Sequence, residues 1–144
     1  GASHAPFAVI TQTIKQSVPL IYSGQEVPVL DSISFFYKDT ISFNQLGRAA
    51  FYKSLLNLRK TNPALAANAS FKKLRTSNDA AIYAFERGKE GKKVLVVVNL
   101  SSKPQKFSWI DQPSEKEWDN LFLMNTEPVL TSMEPWGYAV YEKK

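Results

Sequence analysis

Cysteine is absent from this 144-residue sequence, and histidine occurs once, as His4. The first absence excludes disulfides, thiolate metal sites and a cysteine nucleophile. It leaves the compartment open, because exported proteins also manage without cysteine. The second argues against a Ser–His–Asp triad or a histidine metal cluster, all the more because His4 is expected to lie in a tail. Glycine is sparse, and Gly88-Lys-Glu-Gly91 reads as a hairpin turn, not a phosphate loop. The longest apolar run, near Val94–Val98, falls far short of a membrane span, so no membrane partner is expected. Phe7–Ser17 follows no basic region and precedes no small-residue cleavage pattern, so no signal peptide is expected. The chain opens on Gly1 instead of Met, and residues 1–5 carry little weight.

What is present suffices for a core. The chain is 44% hydrophobic and 12% aromatic, well outside the range of disordered segments. Its length suits one domain, or one domain plus a piece of another. The net charge of +5 comes from Lys and Arg in ones and twos, such as Lys72-Lys73 and Lys92-Lys93. Scattered charge of this kind is solvated surface, and no nucleic-acid partner is expected.

Val18-Pro-Leu-Ile-Tyr-Ser-Gly-Gln-Glu26 is the most distinctive stretch. Val18, Leu20, Ile21 and Tyr22 predict a short, fully buried strand, with Pro19 near its start because proline cannot donate to a ladder. Ser23-Gly24 turns the chain, placing Gln25 and Glu26 at the strand's C-terminal end, where parallel α/β barrels collect substrate-facing groups. Phe7, Ile10 and Ile14 recur at helical spacing and predict a helix over Phe7–Gln16. Val27–Ser42 reads as a loop, in which Ile33–Tyr37 is short enough only for a brief strand. Asn44 caps a predicted helix running to Thr61, where Asn62-Pro63 stops it. Leu46, Ala49, Ala50 and Leu56 lie on one side of that helix, and Phe51, Leu55 and Leu58 on the other. A helix apolar on two sides belongs between layers.

From Ser70 onward the pattern is that of short strands parted by turn residues. Strands are expected at Ser70–Thr76, Ala81–Glu86, Lys93–Leu100, Gln105–Ile110, Glu117–Leu123, Glu127–Met133 and Tyr138–Glu142. The valines of Lys93–Leu100 fall on both faces and mark a central strand. The fold class is therefore mainly β: an antiparallel sandwich of Greek-key type with roughly six to eight strands, after a helix–strand–helix piece.

Carboxylate catalysis needs two acids held about 5–9 Å apart across a cleft. Asp79, Glu86, Glu90, Glu115, Glu117 and Glu142 fall on turns or strand surfaces and read as solvated charges. Glu26 stands apart by position, yet no acidic partner is evident; Glu26 and Gln25 either line a substrate site or stabilise the loop. Trp109, Trp118 and Trp136, with Tyr83, Tyr138 and Tyr141, suit either a core or a sugar-stacking face. Trp136, beside Pro135 and Gly137, is the candidate for sugar stacking.

These residues also resemble a known family. Pro19–Glu26 is similar to the eighth-strand segment of the α-amylase family of glycoside hydrolases, and Phe35–Ile41 to the loop after it. Leu55–Leu65 resembles that family's last barrel helix and its exit. Val94–Leu100 and Pro135–Tyr141 resemble strands of its C-terminal β-domain. Ser17 departs from a frequent Gly, and Phe43 from a frequent Trp. The resemblance implies that residues 1–66 are the terminal helix–strand–loop–helix piece of a (β/α)8 barrel and residues 67–144 the β-domain. It implies a parent acting on α-glucans such as starch, glycogen and maltooligosaccharides by a retaining mechanism. That parent's three catalytic carboxylates lie upstream of the eighth strand, so no catalytic residue and no metal ligand is expected here, and this chain alone is expected to be inactive. Tyr22, Gln25 and Glu26 would be substrate-adjacent in the parent. The resemblance implies no cofactor for this chain, allows calcium in the parent, and tilts localisation towards a periplasmic or secreted protein. The barrel remnant, short of neighbours, is expected to self-associate or to fold back on the β-domain. A carbohydrate-binding sandwich module and a protein-interaction domain are the alternative functions.

Overall fold

The side chains of Val94, Leu95, Val96, Val97 and Val98 are all fully buried, so one strand has both faces covered. It is the third strand of a computed structural model that describes residues 2–27, 36–37 and 46–143. The strands are β1 (Ser70–Leu74), β2 (Ile82–Lys89), β3 (Lys92–Asn99), β4 (Gln105–Lys106), β5 (Glu117–Asn120), β6 (Thr126–Pro128), β7 (Ser132–Met133) and β8 (Tyr138–Lys143). Six form one antiparallel sheet in the order β1-β2-β3-β8-β5-β6, and β4 pairs with β7 in a separate ribbon. The last strand thus enters between β3 and β5, a non-sequential step of the Greek-key kind.

β2 and β3 meet through a two-residue turn at Glu90-Gly91, with Lys89 opposite Lys92. Both turn residues have positive φ, 54° and 78°, which matches the right-handed twist of the strands it joins. Gly91 supplies that conformation without Cβ strain.

Two helices precede the strands, α1 (His4–Thr13) and α2 (Ala49–Thr61), and a 3-10 turn at Pro63–Leu65 follows α2. They cover one sheet face: Val9, Leu55, Leu58 and Leu65 pack with Phe85, Val94, Val96, Val98 and Val140. The opposite face packs Leu95, Val97, Ala139 and Tyr141 against Phe107, Trp118 and Met133. The core therefore has helices, a large sheet and a small ribbon as its layers. The expected sandwich is present, but its second sheet has only two strands and the helices complete the cover.

Several boundaries differ from the sequence reading. The first helix begins at His4 instead of Phe7 and ends at Thr13; Phe7 is half exposed, and Val9, Gln12 and Thr13 face inward. His4, expected in a tail, opens that helix and meets Tyr52. Gln105–Ile110 forms a ladder over only two residues, because Phe107 N–H then bonds the Thr131 carbonyl and Trp109 makes an isolated bridge to Thr76. Glu127–Met133 divides into the end of β6 and β7. The expected helix start at Asn44, the brief strand at Ile33–Tyr37 and the departure at Phe43 lie wholly or partly outside the described residues.

The largest difference is at Val18–Tyr22. The expected buried strand takes no strand pairing, and Val18, Leu20 and Tyr22 are 85%, 72% and 61% exposed. A parallel-type strand is stabilised by neighbours on both edges and layers on both faces, and among the described residues this segment has neither. α1, by contrast, does fold back: it packs on α2, β3 and β8.

Candidate functional site

The turn expected at Ser23-Gly24 is present. Gly24 adopts φ 92°, Gln25 N–H donates to the Tyr22 carbonyl and Val27 N–H to that of Gly24. The Gln25 Oε1 atom accepts from Tyr22 N–H at 2.9 Å, so Gln25 closes its own turn. Glu26 is tied to the start of α2 through its carbonyl, which accepts from Arg48 N–H. Its Oε2 atom is buried without a hydrogen-bond partner. Of the three residues expected beside substrate, Tyr22 and Gln25 are exposed, and only Glu26 faces a concave surface.

That surface is a shallow groove of about 530 Å³ between residues 21–26 and the outward side of α2, lined by Ile21, Glu26, Leu46, Ala49, Tyr52, Lys53, Leu56 and Asn57. Here the two-sided character of α2 becomes visible. Leu55 and Leu58 are buried on the sheet, whereas Leu46 and Leu56 stay 50% and 38% exposed on the groove side. Tyr52 lies between the two sides and pairs its hydroxyl with His4 Nε2 at 2.6 Å. Burial lowers the His4 pKa, and the nearby Arg48 charge adds to this. Burial raises the Tyr52 pKa.

Among the described residues the groove is lined by one carboxylate, that of Glu26, whereas glycoside cleavage by a carboxylate pair needs two. No cluster of three or more His, Cys, Asp or Glu side chains among the described residues could hold a metal ion. Four other acids have structural partners. Asp79 meets Lys73 at 3.1 Å, Glu86 accepts from Ser114 N–H and Oγ–H, and Glu115 pairs with Lys93. Asp111 binds Arg75 through both carboxylate oxygens at 2.8 Å, and this guanidinium holds its pKa well below the usual carboxylate range.

Two arginines that sequence reasoning passed over hold the first segment in place. Arg59 donates to the Gln12 carbonyl at 2.9 Å and to the Ser17 carbonyl at 2.6 Å. Arg87, 1% exposed, donates to the carbonyls of Ser70, Thr13 and Ala66 at 3.1, 3.0 and 2.6 Å. Burial pulls both guanidinium pKa values down, and the proximity of Arg59 adds to the effect on Arg87. Two cations at the end of α1 complement the negative pole of that helix and satisfy its open carbonyls. A signal for Arg87 existed: it shares the period-2 face of Tyr83 and Phe85.

The aromatic residues divide. Trp118 and Tyr141 are fully buried, and Trp118 Nε1–H donates to the Glu115 carbonyl. Trp109 is half-buried and donates to the Leu130 carbonyl. Trp136 is half-buried at φ 55° in the turn before β8, its N–H bonded to the Ser101 carbonyl.

With the helices on one sheet face and the ribbon on the other, solved structures of the same shape can be compared. The maltogenic α-amylase of Thermotoga neapolitana superposes over 99% of this chain and 34% of its own, with TM-score 0.73 and 16% identity. The maltogenic amylase from S. marinus does so over 100% of this chain and 20% of its own, with TM-score 0.75 and 14% identity. The fold is that of the α-amylase family. The trehalulose synthase MutB from Pseudomonas mesoacidophila MX-45 is 26% identical over 66% of this chain and 17% of its own, with TM-score 0.51. These α-amylase-type chains are thus several times longer than the part this chain spans. No family profile and no curated protein sequence matches the chain. The match agrees with a C-terminal piece of such a protein, as Pro19–Glu26 and Leu55–Leu65 suggest.

Proposed function

We propose that this chain is the C-terminal part of an α-amylase-like retaining glycosidase acting on α-glucans, and that its own role there is structural. The observation that carries this is the arrangement around α2. One side of the helix is buried on the sheet, while Leu56 on its other side and Leu46 just before it stay exposed, as do Val18 and Leu20 in the segment that leads to groove-lining Ile21. Apolar surface of this extent, next to a segment that takes no strand pairing among the described residues, suits a further layer and further strands. In this reading residues 1–66 close a barrel and residues 67–144 are the β-domain that braces its last helix. Arg87, in the second part, donates to the Thr13 and Ala66 carbonyls of the first and ties the two together.

Glu26, with an unpartnered oxygen at the mouth of the turn, is then a group that lines the parent's site without doing the bond-breaking. The test is direct. The purified chain is assayed for release of reducing sugar from maltooligosaccharides and starch, and no release is expected. Contaminant-free hydrolysis by this polypeptide would overturn the proposal.

A further inference from the structure

Histidine is the only side chain whose ordinary pKa places its charge change between about pH 5 and 8. This chain has one, His4, and it opens α1. Its half-buried ring lies edge-on to Tyr52 of α2, with centroids 5.8 Å apart and planes at 71°. The Nε2 atom is 2.6 Å from the Tyr52 hydroxyl. Tyr52 is 4% exposed, and among the described residues this is the hydroxyl's one hydrogen bond. A buried hydroxyl proton needs an acceptor. We assign the neutral ring the tautomer with its proton on Nδ1, because Nε2 then accepts from Tyr52. Protonation at Nε2 reverses the bond. The imidazolium N–H must donate to the Tyr52 oxygen, and the hydroxyl proton is left without its acceptor.

The surroundings act in the same direction. His4 is the first residue of α1, at the positive pole of that helix. Burial disfavours the imidazolium most, and the charges of Arg48 and of the chain's amino group add to this. Glu26 lines the groove with Tyr52, but its buried Oε2 takes no hydrogen bond. No other residue of α1 is charged. The elements it packs against carry Lys53, Arg59 and Lys60 on α2, Lys92 and Lys93 on β3, and Glu142 and Lys143 on β8. Glu142, the one carboxylate among these, accepts from Asn62. Arg59 and Arg87 hold the far end of α1, roughly 13 Å away along its axis.

We propose that the His4–Tyr52 pair is an acid-sensitive latch. Neutral His4 holds the start of α1 on α2; protonated His4 frees the helix while the sheet stays folded. This device does not depend on the α-glucan reading above. Its direction follows from linkage. The freed helix takes up a proton near the ordinary histidine value of about 6.5, and the docked helix only at lower pH. Docking is therefore at full strength above about pH 6.5 and weakens as pH falls through that value towards the docked one. Release bares the sheet face that Val9 covers.

The test follows the single histidine ring signal of the full chain by NMR from about pH 8 to about pH 5, with amide hydrogen exchange near both limits. His4 is expected to titrate below about 6.5. Protection of α1 amides, corrected for intrinsic exchange, should fall about fivefold or more at the lower pH, while β3 amides keep theirs. His4→Gln keeps an acceptor for Tyr52 without a titrating group and should remove that difference. Tyr52→Phe removes the stranded proton and should return the His4 titration towards about 6.5. A wild-type ring that titrates at or above that value would overturn the proposal. So would α1 protection that is unchanged by pH, or that falls equally in His4→Gln. Loss of protection in α1 and β3 together would also overturn it, since the whole chain and not one helix would then be opening.

Discussion

The Nη1–H of Arg87 donates to the carbonyl of Thr13 at 3.0 Å, so the second strand of the sheet holds the last residue of the first helix. With the bonds to Ser70 and Ala66, one side chain ties together α1, the segment after α2, and the edge strand β1. Among the described residues no carboxylate pairs with it, and the charge is met by backbone dipoles.

Replacing Arg87 with Met should therefore cost more than its hydrophobic isosterism suggests, because three carbonyls lose their donor. A loss of about 3 kcal/mol in unfolding free energy is expected from urea titration. Arg87→Lys should recover only part of it, since an ammonium lacks the planar fork that spans three acceptors. Full stability in Arg87→Met would show that these carbonyls find other donors.

Val18 and Leu20 lie exposed in the segment that leads to Ile21, a residue of the groove wall. The isolated chain is expected to self-associate as its concentration rises, measured by sedimentation velocity. Leu20→Lys should suppress that association and shift unfolding free energy by less than about 0.5 kcal/mol, as substitutions at exposed positions do. A wild-type chain that stays monomeric at every concentration would contradict the expectation.

Gly137 sits where a Cβ would come within 2.6 Å of Met133 Cγ and 2.8 Å of the Glu134 carbonyl oxygen. The second contact is with backbone and cannot yield cheaply. Gly137→Ala is expected to destabilise by about 1–3 kcal/mol, read as a fall in the denaturation midpoint. An unchanged midpoint would mean that the turn before β8 relaxes freely.

The Arg75–Asp111 pair gives stability a defined pH dependence. The native Asp111 carboxyl ionises well below its unfolded value of about 3.9, so its contribution is present above that pH and fades as pH falls towards the native value. The difference in urea midpoint between wild type and Asp111→Asn should be visible at pH 6 and shrink below about pH 3.9. The pair is at the surface, and the difference is expected to be modest. A gap that widens on acidification would contradict this assignment.

Local chemistry settled a good part of this molecule. The valines of β3 had to lie inside on both faces, Asn62-Pro63 had to stop α2, and Gly88–Gly91 had to contain a hairpin turn; the structure has each of these. Period and turn residues act over a few positions, which is why they can be read from order alone. The resemblance of Pro19–Glu26 and Leu55–Leu65 likewise led to the fold that solved α-amylase-type chains share. What residue order left open depended on partners distant in the chain. Val18–Tyr22 has strand composition but takes no strand pairing, because pairing is a property of neighbours and not of a segment. Arg87 looked like surface charge until three carbonyls from separate segments converged on it. Asn120 and Glu127 came together only when β5 and β6 paired as a hairpin.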